Sequence, residues 1–313
     1  MIVLIDMHYD LLSILYNCYL RDDFSYVLEI AKNYNENNVS GLLANLYFMN
    51  EEEMKSELGH EYGEIDVVEM FRISTELFRK YFPNTKVVFS IEGCDYIKST
   101  DELEKLYDLG LRNILLVWNN PNKYGSGTRS NKGLSDEGRK FIIKAIDLGI
   151  CIDLSHMNKN TFYDAIELLK EQKKLGKKFK VIASHSNCFN LCSNVRNLSD
   201  EQILMLKEFD PIIGIVSYWR FISSDSNVDF KEKYLEHICH VVNLIGISNV
   251  GVATDDMSFA SSLFGEAKEI EVFNYSNIYD DMYRLLKSKF IHEDVEKILY
   301  KNIERKLFEE EVK

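Results

Sequence analysis

The most regular feature of this chain is a series of short apolar runs that alternate with longer segments of helical periodicity. Each run is rich in Val, Ile and Leu and is bounded by polar residues, which is typical of strands buried on both faces of a parallel sheet. The pattern predicts strands over Ile2–Ile5, Val39–Phe48, Lys86–Ile91, Asn113–Trp118, Ile150–Leu154, Lys180–Ala183, Ile212–Ser217 and Val250–Ala253. It predicts helices over Ser135–Leu148, Lys159–Lys170, Ser199–Glu208, Phe230–Ile245, Asn277–Lys289 and Glu293–Phe308.

Strands that alternate with helices, eight strands in all, indicate an α/β protein built as a (β/α)₈ TIM-type barrel. The structural rival is a doubly wound open sheet. The sequence has no G-x-G-x-x-G after the first strand and no G-x-x-x-x-G-K-[ST], so the nucleotide-binding form of that rival loses its main support. No stretch resembles a linker, and we expect residues 1–313 to form a single domain.

The balance of charges narrows the range of partners. The chain has 37 basic and 50 acidic residues, a net charge of -13, and such a surface repels phosphate backbones, so we expect no nucleic-acid partner. No apolar run is long enough to cross a bilayer, and the first ten residues lack the basic segment of a signal peptide. The six cysteines are scattered, so we expect a reduced, cytoplasmic protein with no membrane partner.

Polar residues suited to binding metals follow several of the predicted strands. They are Asp6–Asp10 after the first strand, Glu92 after the third, His156 after the fifth, His185 after the sixth and Asp255 after the eighth. In barrel enzymes the carboxyl ends of the strands form the rim that carries the active site. The recurrence of His, Asp and Glu at this rim therefore predicts a site there.

Imidazole and carboxylate groups together suit a divalent metal such as zinc. His8 and Asp10 are two residues apart on a strand end, so both side chains point to one side and could bind one ion. Glu92 could bridge two ions, and His156 with His185 could hold the second. Two bridged ions lower the pKa of a shared water and stabilise an oxyanion.

Asp255 would then be free to take up and deliver a proton. Each residue also has a structural interpretation: a histidine at a strand end is often a hydrogen-bonded residue of the core, and Glu92 or Asp255 could cap the next helix. His237 and His240 lie three apart on a predicted helix. A second metal site is one interpretation of that pair, and a solvated helix face is the favoured one.

Several motifs together resemble the membrane (renal-type) dipeptidase family of zinc metallopeptidases, which have amidohydrolase-like barrels. The resemblance spans residues 5–308, and the motif over residues 133–156 is the most specific. The motifs are Asp6-Met7-His8-Tyr9-Asp10, Ser90-Ile91-Glu92-Gly93, Gly133–Gly138 continuing through Leu148–His156, Ser184-His185-Ser186 with Arg196-Asn197, and Val250–Asp255.

The resemblance implies that His8 and Asp10 hold one zinc ion, that His156 and His185 hold the other, and that Glu92 bridges them. It implies that Asp255 handles the proton of the bridging hydroxide and that Arg196 binds the free carboxylate of a dipeptide, a role that a bidentate guanidinium suits. Members of the family are homodimers that hydrolyse dipeptides. The expected cofactors are thus two divalent ions, taken as Zn²⁺, and the expected substrate is a dipeptide or a related small amide.

One departure from the family affects the expected substrate site. Where the family has a histidine that stabilises the oxyanion, in a Leu-Thr-His-Asn context, this chain has Leu116-Val117-Trp118-Asn119. Trp118 offers one indole N–H and much more bulk, and loss of one oxyanion donor typically costs about 10²–10³ in rate. Two alternatives therefore stay open: a non-hydrolytic or peptide-tailoring relative, and a hydrolase of another amide or a lactone.

Overall fold

Eight parallel strands form a closed barrel in chain order. The structure is a computed structural model, and it describes residues 4–36, 39–47, 65–256, 272–273 and 277–309. Asp6 of the first strand lies opposite Val252 of the last, and this pairing closes the ring. The strands are β1 (Leu4–Tyr9), β2 (Val39–Tyr47), β3 (Lys86–Glu92), β4 (Leu111–Leu115), β5 (Cys151–Asp153), β6 (Val181–Ala183), β7 (Ile212–Val216) and β8 (Val250–Ala253). The predicted (β/α)₈ barrel is confirmed.

Helices fill the connections and pack around the barrel. They are α1 (Leu11–Arg21), α2 (Ser25–Glu36), α3 (Val67–Tyr81), α4 (Thr100–Asp108), α5 (Asp136–Leu148), α6 (Lys159–Lys174), α7 (Asp200–Leu206), α8 (Trp219–Ile222), α9 (Phe230–Ile245), α10 (Ile278–Lys287) and α11 (His292–Glu296), and π-helical stretches over Lys297–Lys301 and Glu304–Phe308 follow α11. None of the described helices has both the length and the apolar composition needed to span a membrane.

Local sequence signals set several of these helix boundaries. The Ser135 side chain accepts a hydrogen bond from the backbone N–H of Gly138, and α5 ends at Gly149, whose φ of 77° is left-handed. Ser199 and Gln202 form a reciprocal capping box at the start of α7. The predicted start of α5 is thereby confirmed at its N-cap, and these caps fix where each connection turns back toward the sheet.

Two apolar clusters form the core. The larger lies between the strands and the helices. The smaller fills the lower part of the barrel interior, where Met7 approaches the backbone of β7 and β8 so closely that a Cβ at Gly251 would lie 2.5 Å from its sulfur. The interior cluster consists of Ile5, Met7, Leu43, Val88, Cys151, Ile182, Ile212, Val216, Ala253 and Ile303. The interior is therefore packed rather than open, as is usual for such barrels.

Some predicted boundaries are wrong. β1 continues to Tyr9, because the buried Asp6 accepts hydrogen bonds from the backbone N–H groups of His8 and Thr254 and so is accommodated within the sheet. β4 ends at Leu115, three residues before Trp118, and the carbonyls of Leu115 and Leu116 accept from the backbone N–H groups of Gly93 and Cys94 in the loop after β3. Ile2, Val3 and Phe48, which were included in predicted strands, lie outside the described residues.

Candidate metal centre

The carboxyl ends of four strands bring the predicted ligands together on one rim of the barrel. His8 is the second-last residue of β1, and Asp10 directly follows that strand. Glu92 is the last residue of β3, while His156 and His185 follow β5 and β6 at a distance of a few residues. Side chains far apart in sequence thus converge because parallel strands in a closed barrel end at the same rim.

Glu92 lies at the middle of this group and is almost completely buried, with 2% of its surface exposed. Its Oε2 lies 3.0 Å from Nε2 of His8. Its Oε1 lies 2.7 Å from Nε2 of His156 and 3.6 Å from Nε2 of His185. The two carboxylate oxygens therefore face two different sets of nitrogen ligands, which is the arrangement that a bridging carboxylate has.

The Nε2 atoms of His156 and His185 face each other with their lone pairs. Their Nε2 atoms are 2.8 Å apart. Nδ1 of His156 lies 3.2 Å from the side-chain oxygen of Asn119, which can only accept, so that nitrogen carries the proton. Nε2 of His185 accepts from the Arg196 guanidinium at 2.9 Å, since arginine can only donate. Two lone pairs at this distance repel unless a cation lies between them.

A second set of ligands surrounds His8. Oδ1 of Asp10 and Oδ1 of Asp255 each lie 3.8 Å from Nε2 of His8. Nε2 of His8 and Oδ1 of Asp10 are buried and form no hydrogen bond among the described residues. Ligand atoms of a tetrahedral zinc ion, at about 2.0–2.2 Å from the metal, are roughly 3.3 Å apart, so separations of this size suit a metal. The described residues that can hold an ion thus form two adjoining groups, His8–Glu92–His185 and His8–Asp10–Asp255.

The charges of the cluster also indicate a site for a metal ion. Burial lowers the pKa of His8, but Glu92, Asp255 and Asp10 outweigh burial and raise it to about 10. Burial lowers the pKa of His156 to about 3, with Arg196 as a further cause. Three carboxylates thus attract a proton onto one histidine while the neighbouring imidazole stays neutral. A divalent cation would supply the positive charge that this site otherwise takes from a proton.

The backbone at two of these residues is unusual. His156 has a φ of 69° and Asp255 a φ of 49°, both in the left-handed region. Non-glycine residues adopt this conformation at a cost that the surrounding structure must offset, and such positions cluster at functional sites. The N–H of Asp255 donates to the carbonyl of His8 at 3.0 Å, which holds the turn against β1.

The two residues expected to bind substrate lie beside this cluster. Arg196 is 8% exposed, and its Nε forms no hydrogen bond among the described residues, so a buried donor is available beside the histidines. The Trp118 ring lies 6.0 Å from the His156 ring, measured between centroids, and packs edge-on against Tyr47 at 4.9 Å. Arg129 lies over the same indole at 5.6 Å. Trp118 therefore forms a wall of the rim next to His156.

Comparison with known proteins identifies the family. The family model described as Membrane dipeptidase (Peptidase family M19) matches residues 2–313. The chain belongs to the membrane dipeptidase family.

The individual proteins that this chain resembles are distant in sequence. A metallopeptidase of Rhodobacter sphaeroides, solved with a phosphinate mimic of the dipeptide L-Ala-D-Ala, superposes with a TM-score of 0.75 at 17% identity, over 98% of this chain and 99% of that one. The dipeptidase tcpJ of Claviceps purpurea is 29% identical over 217 residues, which are 68% of this chain and 48% of the relative. An uncharacterised Acinetobacter calcoaceticus protein is 29% identical over 171 residues, 51% of this chain and 52% of its own length. The chain thus aligns with about half the length of the curated relatives that it matches.

Other histidines have structural roles. The expectation that His237 lies on a solvated helix face is wrong, because it is 1% exposed. Its Nδ1 accepts from the backbone N–H of Cys188 at 3.0 Å, and its Nε2–H donates to the carbonyl of Ile222 at 3.0 Å. His240 instead contacts Asp200 at 2.7 Å. His237 and His240 therefore do not form a metal site. A further histidine of the chain, His60, lies outside the described residues.

Several polar residues at the site were not predicted from the sequence. Asn45 places its amide nitrogen 3.1 Å from Nδ1 of His8, and Ser184 places its hydroxyl 2.9 Å from Nδ1 of His185. Asp153 accepts from the backbone N–H groups of Ser155 and Ser184. A signal for two of them was present, since Asn45 and Asp153 are polar residues inside otherwise apolar strand runs. A buried polar group in such a place needs a partner.

Proposed function

We propose that this protein hydrolyses a dipeptide, or a closely related small amide, with two divalent metal ions bound at the rim of the barrel. The observation that carries the proposal is the division of the Glu92 carboxylate, with one oxygen facing His8 and the other facing the pair of His156 and His185. A carboxylate placed in this way suits two ions better than one. Membership of a metallopeptidase family supports the same conclusion.

The proposal assigns each ligand to an ion. His8 and Asp10 would hold one ion, His156 and His185 the other, and Glu92 would bind both. A pair of bound divalent ions would supply an activated hydroxide between them and stabilise the oxyanion of the scissile amide. Zinc suits the nitrogen and carboxylate donors, and manganese, cobalt and iron accept the same donors, so the metal is to be identified by elemental analysis.

Asp255 is proposed to take up the proton of the attacking water and deliver it to the departing amine. Its carboxylate lies on the rim, 3.8 Å from Nε2 of His8, and is partly accessible, with 18% of the side chain exposed. A general base must lie within hydrogen-bond reach of the proton that it takes, directly or through one water. The backbone at this residue is in the left-handed region, with a φ of 49°.

Arg196 is proposed to bind the carboxylate at the C-terminus of the substrate. Its guanidinium is buried beside His185, and burial lowers the pKa of the group to about 10, which leaves it charged at neutral pH. A desolvated guanidinium has a strong preference for a carboxylate partner, because its planar donors match the two oxygens. A free C-terminus one residue from the scissile bond would meet this requirement, as in a dipeptide.

Trp118 favours a second candidate function. The indole occupies the place where the family has its oxyanion histidine, and it lies against the ring of His156. A bulky group with a single N–H at this position is a poorer donor to the oxyanion formed in dipeptide hydrolysis. The alternative is a relative that keeps the metal centre but acts on another amide or a lactone, or that binds and tailors peptides without hydrolysis.

Three further expectations remain proposals. A single domain over residues 1–313 is supported by the family model, which matches residues 2–313. A reducing, cytoplasmic location is supported by the six cysteines, all of which are free thiols in the structure. The homodimer rests on the family resemblance, and light scattering of the purified protein would test it.

The first experiment combines metal analysis with a substrate panel. The purified protein is analysed for metals and then assayed with zinc against L-L and L-D dipeptides, the latter because the Rhodobacter sphaeroides neighbour was solved with an L-Ala-D-Ala mimic. Two metals per chain, with turnover that a chelator abolishes and zinc restores, would support the dipeptidase. Two metals without dipeptide turnover would favour the second candidate, and turnover that survives chelation would refute both.

A further inference from the structure

A layer of polar side chains lies inside the barrel, directly beneath the candidate metal ligands. Barrel interiors are usually filled by layers of branched apolar residues, and a buried polar group is costly unless it is hydrogen-bonded. Every member of this layer is 0% exposed. The layer consists of Asn45, Ser90, Asn113, Asp153 and Ser184.

Asp153 is the charged member of this layer. Its Oδ1 accepts from the backbone N–H groups of Ser155 and Ser184, each at 3.0 Å. The side chain of Asn113 donates to Oδ2 at 3.5 Å. The carboxylate thus ties β5 to the first residue after β6, and it can accept but not donate.

Ser184 connects this carboxylate to the metal ligands. Its Oγ lies 2.9 Å from Nδ1 of His185 and 3.3 Å from Nδ1 of His8. The Arg196 guanidinium donates to Nε2 of His185, so the proton of the neutral His185 ring lies on Nδ1. The oxygen of Ser184 therefore accepts from an imidazole N–H. His185 is the nearer donor.

This direction of hydrogen bonding stabilises the tautomer of His185 that a metal ligand needs. With the proton on Nδ1, the lone pair of Nε2 points toward Glu92 and His156, where an ion would lie. Ligating histidines generally give their second ring N–H to such a partner, and the partner sets ring orientation and basicity. His8 differs, because the Asn45 amide offers its Nδ1 a second contact at 3.1 Å.

We propose that Ser184, whose backbone N–H is held by Asp153, is a positioning residue whose hydroxyl holds His185 in the tautomer and orientation of a metal ligand. The inference rests on the proposed metal centre, and it adds a carboxylate–serine–histidine relay beneath the ion bound by His156 and His185. Removal of such a partner typically costs about 10–100-fold in metal affinity. The loss of metal affinity should affect only one of the two ions.

The test uses Zn²⁺ alone and measures stoichiometry and affinity by competition with a chromophoric chelator. Ser184→Ala should weaken one of two zinc sites by about 10–100-fold. Ser186→Ala is the matched control, because this equally buried serine contacts the hydroxyl of Ser155 and no imidazole in the described residues. Wild-type affinity in Ser184→Ala, or an equal loss in Ser186→Ala, would overturn the relay.

A double-mutant cycle separates the relay from a purely structural role of Asp153. In Asp153→Asn a neutral amide replaces the carboxylate that accepts from the backbone N–H groups of Ser155 and Ser184, so Ser184 is held less firmly beside His185. The loss of zinc affinity caused by Asp153→Asn should shrink in the Ser184→Ala background, and additive losses would refute the relay. If Asp153→Asn does not fold, Ser184→Ala decides alone. Wild-type protein that binds no zinc would instead refute the proposed function.

Discussion

The role of Asp255 can be tested by a change of one atom type in its side chain. Asp255→Asn keeps the shape of the residue but removes the carboxylate that would accept a proton. The position is well anchored, because the backbone N–H of Asp255 bonds to His8 and the preceding N–H of Thr254 bonds to the buried Asp6 at 2.9 Å. The substitution should therefore leave the backbone of the rim unchanged.

The expected loss follows from the geometry. Asp255 lies at 3.8 Å from Nε2 of His8, close enough to contact a water shared by the cluster. Removal of a positioned general base typically lowers the rate by about 10²–10⁴, which corresponds to roughly 3–5 kcal/mol of transition-state stabilisation. We expect kcat for a dipeptide to fall by this factor, while the metal content stays at the wild-type value.

Measuring kcat and metal content on the same preparation distinguishes the two roles open to this residue. Asp255 belongs with His8 and Asp10 to a group that could itself hold an ion. Loss of about one metal per chain in Asp255→Asn would mean that it is a ligand, and unchanged turnover would mean that it has no part in the chemistry. Asp256→Asn makes the same chemical change one residue further along and serves as the control.

Three further predictions concern other residues. Trp118→His should raise dipeptide turnover by about 10²–10³ if the indole replaces an oxyanion donor, and no rise in a folded variant would mean that the pocket serves another substrate. Arg196→Lys should raise KM by about 10–100-fold with a smaller change in kcat, and a dipeptide amide should lose this dependence. Burial lowers the pKa of His237 to about 4, so the folded state resists a proton that the unfolded state takes up below pH 6.5. Stability should thus fall by about 3 kcal/mol between pH 6.5 and 4, and His237→Gln, compared by chemical denaturation in chelator, should lack that part of the loss.

Much of the fold and of the ligand set follows from short-range sequence patterns. Buried strands appear as apolar runs, and a parallel barrel places the ends of these runs on one rim. His156, His185 and Glu92 could be predicted as neighbours for this reason alone. The prediction needed only the order of the strands and the direction in which they run.

The polar support beneath the ligands could not be predicted in the same way. Ser184 contacts His8 from 176 residues away, and that contact depends on how the strands are staggered when the barrel closes. The hydrophobic pattern does not contain this stagger. His237 was mistaken for a surface residue for a similar reason, since its partners Cys188 and Ile222 come from loops whose paths depend on tertiary packing.

Closure of the barrel brings the residues of the proposed metal centre together. The pairing of β1 with β8 brings Asp10 and Asp255 close to one nitrogen of His8, and Glu92 lies 3.0 Å from the same nitrogen. Carboxylates gathered in this way repel each other, which opposes closure. An ion that binds only the closed barrel adds RT ln(1 + [L]/Kd) to stability, about 3 kcal/mol at a hundred times Kd. A metal bound at the proposed site should therefore also hold the first and last strands together.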